Sequence, residues 1–213
     1  MDDDSISVSD ARKWRAQYYQ KRAKAISDRL QKTETGTDGY DGQLIKEGKG
    51  TLVLTGHNVY RGGTIVKGGK LLGFVDSFGT SGADHGNGKV VVENGQFSVI
   101  NSFIDTVTQT GKHVAHSKAD HSVDVTVQKE GTYLLVPGQT IHLGNGSLNF
   151  VDGQVGIDLT DPAVQQALDA GQTVTAKVTA ASIQGEYRAM KVDESIKVRI
   201  SQDGNSLEVS VSK

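Results

Sequence analysis

Between residues 48 and 72 the chain reads Gly48-Lys-Gly-Thr-Leu-Val-Leu-Thr-Gly-His-Asn-Val-Tyr-Arg-Gly-Gly-Thr-Ile-Val-Lys-Gly-Gly-Lys-Leu-Leu72. Three β-forming runs, Thr51 to Thr55, Thr64 to Val66 and Lys70 to Leu72, are each bounded by glycine. Leu52 and Leu54, followed by Ile65 and Leu71, predict short strands that bury one face. Glycines at 56, 62, 63, 68 and 69 mark turns that need positive φ or close backbone approach. A chain that turns this often cannot lay down long hairpins here; it builds short rungs.

The same rhythm continues, more loosely, downstream. A short strand, a glycine and a second short strand recur in Thr64–Phe74, Val90–Val99, Val125–Leu135, Ile141–Phe150 and Val198–Val209. Turn glycines at 69, 95, 131 and 146 are unevenly spaced, as in a degenerate repeat with insertions. Glycine corners between two faces of a coil read this way, and so do successive hairpins with Asn-Gly turns. With 26 glycines and only two prolines, the composition itself favours a β chain rich in turns.

Two helices interrupt the pattern. Residues 1–9 are acidic and read as disordered. Residues 10–32 form a basic amphipathic helix, capped by Ser9 or Asp10, with Ala16, Tyr19, Ala23, Ile26 and Leu30 on one face. Its six Lys or Arg between Ala11 and Ser27, with aromatic neighbours, would also suit a nucleic-acid or membrane-surface element. The reading taken is a cap for the open end of the β structure. Residues 33–42 are a polar linker, and 43–213 the β segment. Asp161 as cap, Pro162 at the first helical position and Gly171 past the end predict a short helix at about 162–170. Polar stretches 76–88 and 101–121 read as insertion loops.

The 48–72 stretch resembles the passenger-associated transport repeat of autotransporter proteins, roughly G-x-G-T-L-x-L-x-G-x-N-x-Y-x-G-G-T-x-V-x-x-G-x-L. Gly48, Gly50, Thr51, Leu52, Leu54, Gly56, Asn58, Tyr60, Gly62, Gly63, Thr64, Val66, Gly69 and Leu71 fill that pattern in order. The resemblance implies a mainly β fold, a right-handed parallel β-helix, with Leu52, Leu54, Val66 and Leu71 in its core. It also implies a secreted or surface-exposed passenger segment of a Gram-negative-type envelope. Its partners would be an upstream passenger module, of protease type in many such proteins, and a downstream translocator barrel. An adhesin-type module binding host glycan or protein through 76–88 and 101–121 is the alternative; a polysaccharide-acting or protease fragment is the less favoured one. Met-Asp-Asp-Asp is no secretory signal, so the expectation is a piece of a longer chain.

Signals for chemistry are sparse. A net charge of −2 makes no case for nucleic acid, and no apolar run approaches the ~20 residues of a membrane helix. Cysteine is absent, which excludes disulfides and thiol chemistry. Gly79-Thr-Ser-Gly-Ala-Asp-His85 holds Ser, Asp and His, but three neighbours on one loop do not make a triad. Asp105, Asp120, Asp124 and Asp152 are carboxylates that nothing in the sequence brings to one groove. His113, His116 and His121, with Asp120 and Asp124, are the metal-like cluster, since imidazole suits Zn²⁺ or Ni²⁺. Lacking cysteines or a His-Glu-x-x-His spacing, they read as solvated loop histidines. The expectation is therefore no enzyme, no cofactor and no bound metal.

Overall fold

The computed structural model describes residues 15, 17–22, 24, 42–80, 87–105, 111–114 and 121–213. The chain forms two compact units, Met1–Tyr40 and Asp41–Lys213. Of the first, the described residues between 15 and 24 are helical, and Tyr18 and Tyr19 meet edge to face at 5.6 Å. The remainder of the expected 10–32 helix, its cap, the acidic 1–9 stretch and the linker up to residue 41 lie outside the described residues.

The second unit is mainly β, with a parallel sheet of eight strands. β1 (Leu44–Lys46) and β2 (Thr51–Leu54) are followed by β3 (Thr64–Val66) and β4 (Lys70–Gly73). The next three long members are β5 (Gly88–Val99), β8 (Val123–Leu135) and β10 (Ser147–Ile157). β12 (Ser182–Ala189) closes the order β1-β3-β5-β8-β10-β12, while β2 pairs with β4 and β4 with the second half of β5. Each turn of chain therefore lies parallel on the one before, an arrangement consistent with a β-helix.

Register turns the sequence pattern into columns. Val66, Val92, Val127 and Phe150 align, as do Thr64, Val90, Val125, Leu148 and Ile183, and all of these are buried. On the other arm Leu52, Leu71, Phe97, Tyr133 and Val155 align, with Leu71, Phe97 and Val155 fully buried. Inside, Phe97 packs on Phe78 at 4.9 Å and on Tyr133 at 5.9 Å, both inclined as aromatic quadrupoles prefer. Leu52 and Leu54 are partly buried against this core. Ile65 corrects the expected inward face. It lies between buried Thr64 and Val66, and period-2 alternation turns it outward in line with exposed Ile45. Lys46 begins the inward column at the first turn. It is buried, and its ammonium donates to the carbonyls of Glu47 (2.8 Å), Gly48 (3.1 Å) and Gly68 (3.0 Å).

The glycines of the long strands are not hairpin turns. β5, β8, β10 and β12 run through them, and Gly95 and Gly131 are register partners. A Cβ on Gly131 would sit 2.3 Å from the Val92 carbonyl oxygen, and one on Gly185 1.9 Å from that of Phe150. Glycine is needed because successive backbones stack there without room for a methyl group.

The repeat does not extend unchanged to the C-terminus. β9 (Thr140–His142), β11 (Val174–Thr179), β13 (Lys197–Asp203) and β14 (Ser206–Ser212) form a second sheet in the order β13-β14-β11-β9. β13 and β14 are an antiparallel hairpin turning at Gly204 (φ 55°), so Val198–Val209 is a hairpin and not another rung. Ile141–Phe150 divides between the two sheets, β9 in one and β10 in the other. The short helix forms at Pro162–Asp169, where Asp161 accepts from the Ala163 amide at 2.8 Å and Val164 and Leu168 face the core. The insertion after β5 carries a separate hairpin, β6 (Ser102–Asp105) with β7 (Gly111–Val114).

Candidate functional site

Two irregular corners of the chain stack on one another. The chain leaves β2 at Leu54, turns through residues 56–62 into β3, and one turn later leaves β4 and passes through 74–80. The second corner stacks on the first. Phe74 N donates to Leu54 O (3.2 Å), Asn58 N to Asp76 O (3.4 Å) and Thr80 N to Tyr60 O (3.0 Å). Asn58 ties them further, with Nδ2 reaching Gly56 O at 3.1 Å and Ser77 O at 2.8 Å. Tyr60 bonds Thr64 Oγ1 at 2.6 Å, and burial pushes its phenol above the ordinary range despite that bond. Gly79 (φ 76°) is demanded by Tyr60, whose carbonyl would lie 2.3 Å from a Cβ there.

The stretch 76–88 reads as a polar insertion loop, and its first residues form an irregular corner that packs inward: Asp76, Ser77, Phe78 and Gly79 are buried and Phe78 is fully enclosed. One aromatic side chain among glycines and serines is enough to draw the segment inward. Burial leaves the Ser77 and Thr80 hydroxyls and Asp76 Oδ1 without a hydrogen-bond partner among the described residues.

At this corner His57, Asp76 and His121 converge, with one ligating atom of each within 4.8 Å of the others. The His57 and His121 rings lie 5.0 Å apart, tilted by 52°. His57 is exposed, His121 half-buried and Asp76 only 5% exposed. Their placement follows from the stack. Leu52 pairs with Leu71 and Leu54 with Gly73, so three residues beyond each strand His57 falls beside Asp76. His121 is held at the entrance to β8 by its neighbour. Ser122 O accepts from Gly88 N at 3.0 Å, and Ser122 Oγ from Asn145 N at 2.8 Å.

Of the three histidines read from the sequence, the described residues place one, His121, in a cluster. His121 belongs to a triad, but with His57 and Asp76. His113 lies on β7, and His116 is outside the described residues. Sequence proximity misleads here because rungs bring together residues one or more turns apart; the offset between β2 and β4 was the signal that linked His57 to Asp76.

The other candidates have separate places. Asp124 Oδ1 accepts from the Ser147 amide and hydroxyl, both at 2.8 Å, and Oδ2 from Asn87 at 3.2 Å, which ties three turns of chain. Asp152 pairs with Arg188 at 3.1 Å. Asp105 lies on β6, and Asp120, Ser81, Asp84 and His85 are outside the described residues. Asp124 and Asp152 are thereby each engaged in contacts between strands.

Residues 44–72 match the family model Passenger-associated-transport-repeat. Searches of curated proteins and of solved structures returned no match. Strands β1 to β4 all begin within the matched residues, which include Asn58, Tyr60 and His57.

Proposed function

Because residues 44–72 are a passenger-associated transport repeat of the kind found in autotransporters, we propose that the chain is a structural, β-helical segment of an autotransporter passenger. In this reading the segment is secreted or displayed at the surface of a Gram-negative-type envelope and supports export of an upstream module through a downstream barrel. It acts by packing and not by catalysis. Among the described residues no helix is long and apolar enough to cross a membrane.

The observation that carries the proposal is the register-aligned parallel stacking that begins inside the matched repeat and continues through β5, β8, β10 and β12. Parallel crossovers within one sheet are right-handed in nearly all proteins, which supports a right-handed coil. In a stack of this kind each turn is stabilised by its neighbours, so order propagates along the chain. Folding outside the membrane then opposes backsliding.

The test is export of a full-length parent chain carrying Leu71→Asp. Leu71 is fully buried between Leu52 and Phe97 in register, so a carboxylate there disrupts the first turns. Surface display, read by protease accessibility of an upstream tag, is expected to fall sharply. Wild-type display would refute the proposal. A second role, display of a binding loop, is supported by the β6–β7 hairpin, a separate two-stranded sheet inserted between two turns of the stack. Deleting 101–120, which spares His121, should then abolish binding to host glycan or protein without affecting export.

A further inference from the structure

We propose that His57, Asp76 and His121 bind a divalent transition-metal ion of the Zn²⁺ type, which clasps three successive segments of the β stack. The ligands come from the corner after β2, the corner after β4 and the entrance to β8. An ion held by all three would therefore join stretches that are otherwise linked by a few hydrogen bonds.

Two independent observations converge. The first is geometric: two imidazoles and a carboxylate offer ligating atoms within 4.8 Å of one another. Around a tetrahedral ion with bonds of about 2.0–2.1 Å, ligands lie about 3.3 Å apart. The 4.8 Å spread is wider than this, and His57, which is exposed, has room to move toward the other two. The second concerns Asp76 itself. The residue is 5% exposed, and its Oδ1 has no hydrogen-bond partner among the described residues. A buried carboxylate oxygen without a donor is costly, and it persists where something else satisfies it. A cation between Asp76 and the two imidazoles does so directly.

The donor set selects the ion. Ca²⁺ and Mg²⁺ prefer all-oxygen shells, whereas two nitrogens and one carboxylate suit Zn²⁺, Co²⁺ or Ni²⁺. Three protein ligands leave a position for water or for a ligand from another molecule. His57 occupies a variable position of the repeat, between Gly56 and Asn58. The site is thus an addition to the repeat pattern and does not follow from it.

The experiment uses the 213-residue chain, stripped with EDTA and titrated with Zn²⁺ by calorimetry, with Mg²⁺ and Ca²⁺ as controls. One Zn²⁺ per chain is expected, with a melting midpoint raised by roughly 5–10 °C at a hundredfold excess over Kd. His57→Ala and His121→Ala should each weaken binding beyond the roughly 10–100-fold typical of losing an outer-shell partner. Asp76→Asn should do the same while keeping the shape of the corner. His113→Ala with His116→Ala should leave binding intact. Matching circular dichroism of each variant in EDTA separates lost binding from lost folding, and His57→Ala, at an exposed position, is the variant least exposed to that confusion. Absence of Zn²⁺ binding by the wild type would overturn the proposal. So would binding that survives His57→Ala with His121→Ala, or that disappears with the 113/116 pair instead.

Discussion

Gly69→Ala offers the sharpest test of why the repeat is built on glycine, when set against Gly50→Ala and Gly56→Ala. All three are glycines of the matched pattern, but the stack uses them differently. Gly69 has φ 67°, and a Cβ there would lie 2.4 Å from the carbonyl oxygens of both Gly48 and Gly50 and 2.7 Å from the Lys46 ammonium. Left-handed backbone costs an L residue about 1–2 kcal/mol. Forcing a methyl group against backbone that is itself hydrogen-bonded costs about 1–3 kcal/mol more. The sum is about 2–5 kcal/mol, a large part of the stability of an ordinary domain. Gly50 and Gly56 have no atom within 4 Å of a built Cβ and no positive φ. There alanine removes freedom from the unfolded chain and should stabilise by about 0.4–1 kcal/mol. Urea unfolding followed by far-ultraviolet circular dichroism measures all three, with midpoint and slope read separately. Equal effects of Gly69→Ala and Gly50→Ala would refute the close-stacked corner.

Three further outcomes follow from single side chains. Phe97→Ala removes a fully buried ring held between Phe78 and Tyr133 and should cost about 3–5 kcal/mol by urea unfolding. Desolvation pushes the phenols of Tyr60 and Tyr133 above their ordinary 10.0. Their contribution is complete below about pH 10 and declines as pH rises through the folded values, so the melting midpoint should fall in alkali and Tyr133→Phe should flatten that limb. Burial raises the Asp158 pKa, but hydrogen bonds from Lys70 and Thr160 and the Lys70 charge more than offset this and leave it lowered. Its contribution, about 1 kcal/mol or less for a pair still reached by solvent, is present above the unfolded value near 3.8. It is lost as pH falls through the folded one, and Asp158→Asn should flatten that acid limb.

How much the sequence reveals depends on whether the signal is local. The glycine-bounded runs at 48–72 announce strands because turn chemistry and alternation act over a few residues. The helix at Pro162–Asp169 is equally legible, since cap, proline and terminal glycine sit side by side. Parity of Ile65 is not, because with Ile65 and Val66 both apolar only the stacking of Thr64 and Val66 on Val90 and Val92 decides which faces inward. The β13–β14 hairpin and the rungs share one strand-glycine-strand pattern, and what separates them is whether the glycine reverses the chain or merely accommodates the backbone below. The His57, Asp76 and His121 cluster was hidden for the same reason. Its members are neighbours only once the turns are stacked, whereas Asp76 alone, beside serines and glycines, looks like exposed loop.

The central claim, parallel register between successive turns, is open to direct measurement because the chain contains no cysteine. Thr126 and Asn149 are aligned partners on β8 and β10, both half-buried. Aligned residues on adjacent strands lie about 4.8 Å apart, within the Cα separation of about 4.4–6.8 Å that a disulfide accepts. Thr126→Cys with Asn149→Cys should therefore form an intramolecular disulfide under mild oxidation. Thr126→Cys with Gln154→Cys, close to the pairing that an antiparallel hairpin of the same strands would give, should stay reduced. Cross-linking of the second pair and not the first, read by mass spectrometry of the non-reduced peptides, would contradict the stacked arrangement.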